Sequence, residues 1–200
     1  MMEGCMTLTK ASPVKRTILI TFLTVPVLAM LGYAASIYSS PNAPDGDLAS
    51  LAKYRQWTLV NPTPQLMEPL PAASCAMNVG RTEASPHLHK YISVFVNPIG
   101  RDQMMTKRNP KYPVGSIIVK EKLATADSTT PELLTAMIKR EAGYNPEGGD
   151  WEYLVLNGAA SEIVERGKLT RCSSCHQPYQ GRDYVTRTYL PEKVSRELKP

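Results

Sequence analysis

Seventeen prolines are scattered along this chain instead of being gathered in one linker. A proline inside a helix removes a backbone hydrogen bond and clashes with the preceding turn, at a cost of about 3 kcal/mol. A bundle of long helices is therefore excluded, and short strands and helices separated by proline-bearing turns are expected. The 200 residues, 42% of them hydrophobic, suffice for one cored domain but hardly for two. From residue 41 onward, 20 Lys and Arg stand against 17 Asp and Glu. So balanced a surface argues against a nucleic-acid partner.

Residues 17–38 form an apolar run about as long as a bilayer-crossing helix. Lys10, Lys15 and Arg16 precede it, and the next basic residue is Lys53. That asymmetry puts residues 1–16 in the cytoplasm and everything after the run on the periplasmic or extracytoplasmic face. The run is either an uncleaved transmembrane anchor, which its length favours, or a signal peptide cleaved near Ala34-Ala35-Ser36. Pro26 within it is tolerable in a membrane helix.

Residues 39–47 read as a Pro/Ser/Asn/Gly linker, with Asp47 as the N-cap of a short helix. Residues 48–200 then form the domain. Four prolines make 61–73 extended or irregular, whereas 89–97 and 116–122 have the β-branched and aromatic composition of strands. Asn97-Pro98 ends the first of these. Residues 133–141 and 151–156 flank a Gly/Pro-rich turn and predict a hairpin. The expected fold class is α+β: a mainly antiparallel sheet of about four or five strands with a few short helices, preceded by one N-terminal transmembrane or signal helix.

One segment names a chemistry. In Cys172-Ser173-Ser174-Cys175-His176 the two thiols have the spacing that adds across the vinyl groups of a haem, and the adjacent histidine can ligate its iron. Such attachment occurs outside the cytoplasmic membrane, where the charge asymmetry independently places this segment. One covalently attached haem c is expected, with Cys172 and Cys175 binding the cofactor and His176 as axial iron ligand. A zinc site completed by His87 and His89 leaves the position of His176 unexplained. A redox dithiol lacks its βαβ setting, and a disulfide across this spacing is strained. Cys5 falls on the cytoplasmic side, and Cys75 is left over on the oxidising side.

Neither Met nor His follows His176. A sixth ligand of the electron-carrier kind would come from upstream, from Met77, Met104, Met105 or Met137, each of which core packing also explains. Five-coordinate iron is the simpler expectation, and the alternative is a periplasmic electron-transfer cytochrome with an upstream ligand.

The C-terminal motif followed by Asp183-Tyr184-Val185, the upstream Gly149-Asp150-Trp151-Glu152-Tyr153, and the pattern running from Tyr112-Pro113 through Gly115 to Val119-Lys120-Glu121 together resemble the cytochrome P-460 family and its cytochrome c′-beta relatives. The likeness covers roughly residues 87–190. It implies a mainly antiparallel β fold, a homodimer, and a small nitrogen species as ligand or substrate. P-460 members are oxidoreductases that oxidise hydroxylamine with a haem cross-linked to a lysine. The c′-beta members lack that link and bind NO or CO. By this resemblance Lys120 is the preferred cross-linking residue, with Lys122 on the same strand face and Lys107, Lys111 and Lys139 as further candidates. A hydroxylamine oxidase would also want a carboxylate to take up protons, from Glu121, Glu141 or Glu152. Its electrons would pass to a redox-partner cytochrome.

Overall fold

The central strands of this domain are buried on both faces of one sheet. The computed structural model describes residues 46–67 and 89–200. The 17–38 segment, Cys5, Cys75, Met77 and His87 lie outside the described residues. Among those described, no helix is long and apolar enough to cross a membrane.

Among the described residues seven strands form one antiparallel sheet: β1 (Thr58–Leu59), β2 (Gln65–Leu66), β3 (Tyr91–Val96), β4 (Ile117–Leu123), β5 (Leu133–Lys139), β6 (Trp151–Asn157) and β7 (Ile163–Gly167). Strands β3 to β7 run as a simple meander, and β1 and β2 both pair with β3. The hairpin expected around the Gly/Pro turn is present as β5–β6, and Lys139 pairs with Trp151 beside the turn. Three strands exceed the sequence expectation. Two of them are two-residue pieces, and exposed β7 carries Glu165 and Arg166 in place of an apolar run.

The side chain of Asn61 explains how β1 and β2 share one neighbour. Its Oδ1 accepts from the Val94 N–H at 2.8 Å, and its Nδ2 donates to the Ile92 carbonyl at 2.8 Å. The side-chain amide stands in for a missing stretch of backbone and satisfies the β3 edge between the two short strands.

Among the described residues the α-helices are α1 (Gly46–Leu51), α2 (Pro98–Met105), α3 (Thr170–His176) and α4 (Glu192–Arg196). Helix α1 begins at Gly46, so Asp47 lies inside its first turn rather than capping it. Asn97-Pro98 ends β3 as expected and also starts α2: Asn97 Oδ1 accepts from the Gly100 N–H at 3.0 Å, and Pro98 occupies the first turn.

All seven residues of β4 are buried, because the sheet is covered on both faces. One face carries Val94, Ile118, Met137, Trp151 and Tyr153, packed under Met104, Tyr112 and the C-terminal Tyr184, Val185, Tyr189 and Leu190. The other carries Phe95, Val119, Leu134, Ala136 and Leu154, covered by Leu51 and Tyr54. Lys120 and Lys122 alternate with Ile118 and so belong to the first face, whereas Glu121 belongs to the second.

Candidate functional site

The five residues of the cysteine–histidine motif close helix α3, which gives the sulfurs and the imidazole the one-sided placement their spacing implies. No side chain caps its start, and no residue of α3 is fully buried. What fixes the site lies outside the helix.

His176 is held from its far side. Its Nδ1 lies 2.7 Å from the carbonyl oxygen of Tyr184. A carbonyl can only accept, so Nδ1 carries the ring proton and Nε2 keeps a lone pair for a metal. Burial pushes the imidazole pKa down to about 3, and the charge of Lys120 pushes the same way, against the Tyr184 hydrogen bond. The ring is therefore neutral at physiological pH, the form that ligates iron. Tyr153 packs against it, with ring centroids 5.4 Å apart.

Tyr184 is held in turn. Asp183 and Tyr184 both have left-handed backbones, with φ of 53° and 62°. Each such residue costs about 1–3 kcal/mol unless its surroundings enforce it. Here Lys139 Nζ donates to Asp183 Oδ1 at 2.6 Å, the Tyr112 N–H donates to Oδ2 at 2.8 Å, and Trp151 Nε1–H donates to the Asp183 carbonyl at 2.8 Å. Gly149, with φ of 64°, lies so close that a Cβ there would meet the Tyr184 ring at 2.4 Å. The three motifs singled out in sequence thus converge on one hub behind His176.

Lys120 and Lys122 approach from the sheet. Lys120 is 7% exposed and Lys122 fully buried. Both are near enough to Cys172 and His176 for their charges to perturb each. The Lys120 ammonium sits 5.1 Å from the centroid of the Tyr189 ring. Burial pushes its pKa down to about 8, and pushes that of Lys122 well below the ordinary lysine value, with the Lys120 charge adding to the effect. The Lys122 amine and the hydroxyls of Tyr153 and Tyr189 are buried without hydrogen-bond partners.

The remaining candidates fall elsewhere. Lys139 is engaged by Asp183 and the Gly149 carbonyl, Lys111 is exposed, and Lys107 forms a bridge with Lys199. Glu121 accepts from Tyr54 Oη at 2.5 Å and from Arg55 at 2.9 Å on the opposite face. Glu152 is held there by Arg140 and Arg166, and Glu141 is exposed in the turn. His89 is exposed just before β3. Met104 is fully buried, with its sulfur 3.6 Å from Tyr112 Oη, and Met137 packs in the same core. Tyr189 was not legible as a site residue, because only chain reversal after α3 brings it to β4.

The antiparallel sheet thus supports a half-buried histidine whose Nε2 is left free to bind a metal, in one helical turn with two cysteines. A family model described as Cytochrome P460 matches residues 52–187, more than half of the chain. The chain belongs to the cytochrome P460 family. No curated protein matches it. Membership implies a haem cofactor, and the donor set fits one: a neutral imidazole with Nε2 available, and buried polar atoms of Lys122 and Tyr153 left without partners on the same side of the sheet. Cys172 is a free thiol whose pKa burial raises. Cys175 is disulfide-bonded, so it must be reduced before it can form a thioether.

Proposed function

We propose that this chain is an extracytoplasmic mono-haem c protein that oxidises hydroxylamine. In this reading Cys172 and Cys175 hold the haem through thioethers, His176 ligates its iron, and the Lys120 amine makes a third covalent link. The observation that carries it is the burial of Lys120 on the sheet face shared with Cys172 and His176. A lysine placed on a strand merely for solubility points to water. This one points inward, and a pKa of about 8 leaves a substantial neutral fraction able to act as a nucleophile.

The bound haem supplies a one-electron couple and an open coordination position for a small nitrogen ligand. The protein's own residues hold the ring proton of His176 on Nδ1, shield the site behind Tyr153 and Tyr189, and place the Lys120 amine at the site. Electrons leave to a redox-partner cytochrome, and the chain works as a homodimer at the outer face of the membrane, tethered by residues 17–38 or released from them by cleavage. The engaged sulfur of Met104 weighs against the electron-carrier alternative at that residue.

Mass spectrometry of the proteolysed holoprotein, with an optical spectrum of its ferrous state, tests this. A haem bearing both the 172–176 peptide and a peptide linked through Lys120, with a strongly red-shifted Soret band, is expected. Haem attached only at 172–176, with an ordinary five-coordinate spectrum, would make this a gas-binding protein for NO or CO and end the oxidase reading.

A further inference from the structure

The positive charge of this domain is not spread over it. Of the 20 Lys and Arg and 17 Asp and Glu counted from residue 41, residues 98–115 hold four and one, and the remaining 16 and 16 cancel. Those residues are α2 and the segment leading from it to β4, folded back so that Gln103 Oε1 accepts from the Lys111 N–H at 2.8 Å. Arg101, Arg108 and Lys111 are exposed and Lys107 is half-buried. Among the described residues none of the four is in an ion pair. Asp102, the one acid here, accepts from the Thr106 hydroxyl at 2.6 Å. Elsewhere the cations are compensated: Arg55, Lys139, Arg140, Arg166 and Arg171 each face a carboxylate. Exposed Lys199, bridged to Lys107, adds to the uncompensated surface.

Two apolar side chains lie open to water among these charges, Ile99 at 51% exposure and Val114 at 47%. They flank Gly115: a Cβ there would lie 3.3 Å from Ile99 Cδ1, and Val114 sits in the turn that the Ser116 N–H closes on the Pro113 carbonyl. Single exposed apolar residues need no explanation. A neighbouring pair inside an uncompensated cationic rim has the make-up of a small, reversible protein contact. This surface is also joined to the site. The Tyr184 carbonyl that accepts from His176 Nδ1 belongs to the residue after Asp183, whose Oδ2 accepts from the Tyr112 N–H at 2.8 Å. Tyr112 is buried against Trp151, with ring centroids 5.5 Å apart, but Lys111, Pro113 and Val114 beside it are exposed. Two hydrogen bonds and a short stretch of backbone lead from the imidazole to the patch.

We propose that α2 and the 106–115 segment form the docking surface for an acidic one-electron carrier protein. The inference rests on the oxidase reading above, which sets the direction of the electron. The step is a single-electron transfer: the haem iron goes from ferrous to ferric, the carrier's oxidised metal gains that electron, and no bond or proton changes hands. Unpaired cations speed and orient the approach of a carrier whose own surface is acidic. A second copy of this chain is a poor occupant, because a two-fold contact would set the same cations against each other. An anionic bilayer would meet the cations but would gain nothing from the connection to His176.

Two measurements on the haem-loaded full chain test this, with plastocyanin, a blue-copper carrier with an acidic surface, as the probe. In the first, dithionite-reduced protein is mixed with cupric plastocyanin in a stopped-flow instrument. The wild-type rate should fall about 10-fold as ionic strength rises from about 0.01 M to about 0.5 M. At low salt Lys111→Glu should be about 10-fold slower than wild type, and Lys53→Glu, the same charge change at an exposed site in the turn after α1, within about 2-fold of it. Equal slowing by both variants, or a rate indifferent to salt, would overturn the proposal. The second follows backbone amide NMR shifts on adding cuprous plastocyanin, which cannot accept an electron. Shifts centred on residues 98–115 are expected. Shifts centred elsewhere would overturn the surface. So would shifts at 98–115 produced by phosphatidylserine vesicles, or by raising the protein's own concentration, but not by plastocyanin. Dithionite supplies the electron throughout, so a failure of hydroxylamine to reduce the haem would end the oxidase reading and leave the docking result standing.

Discussion

His176 Nδ1 and the carbonyl oxygen of Tyr184 lie 2.7 Å apart, and that one contact decides which imidazole nitrogen is left free to bind a metal. The carbonyl is aimed by a left-handed backbone pair, Asp183 and Tyr184, which residues from three distant segments enforce. The orientation of the His176 ring is therefore a property of the whole sheet and not of helix α3.

Gly149→Ala tests how rigid this hub is. The new methyl group would overlap the Tyr184 ring and would also disfavour the φ of 64°. The expected loss is about 2–4 kcal/mol in chemical denaturation. Faster solvent exchange of the His176 ring proton should accompany it, because the Tyr184 carbonyl is pushed off its acceptor position.

The Lys139–Asp183 pair should behave as a buried ion pair whose halves depend on each other. Side-chain exposures of 13% and 8% leave little water to replace a lost partner. Lys139→Met alone is expected to cost about 3–5 kcal/mol. Adding Asp183→Asn should recover part of that loss, and a double-mutant cycle in urea would measure the coupling. Strict additivity would show that the pair is solvated.

On the opposite face, Asp47 and Glu152 share Arg140 and Arg166. Burial alone would raise both carboxyl pKa values, but hydrogen bonds and charge from the two arginines outweigh it and lower them. The stabilisation is therefore present above the ordinary values of 3.8 and 4.5 and is lost as pH falls through the lower folded values. Glu152→Gln should be about 1–3 kcal/mol less stable than wild type at neutral pH. The gap should close as pH falls below the ordinary carboxylate range, in denaturation midpoints measured across pH.

Asn61→Ala would strip two buried β3 backbone groups of their partners, the Val94 N–H and the Ile92 carbonyl. A cost of about 2–4 kcal/mol is expected. Hydrogen exchange should locate it, with the Val94 amide losing protection while the β5–β6 amides keep theirs.

Much of this was written in local sequence. The helical turn of 172–176 follows from its spacing, and strands at β3, β4, β5 and β6 follow from β-branched and aromatic runs bounded by Gly and Pro. Strand period two also put Lys120 and Lys122 on one face and Glu121 on the other. Strands β1, β2 and β7 were not legible, because pairs of residues and a charged edge carry no periodic signal.

Tertiary structure decided which face became the site. Periodicity separates Lys122 from Glu121 but is symmetric between the two sides of a sheet. The choice was made by what covers each side: Tyr54 and Arg55 draw Glu121 to one layer, while the C-terminal segment folds α3 and Tyr189 over the lysines. The same long-range packing imposed left-handed backbones on Asp183 and Tyr184, because only the combined hydrogen bonds of Lys139, Tyr112 and Trp151 offset their local cost. A short segment cannot encode a conformation that its own sterics disfavour, so that part of the site exists only once the sheet has closed.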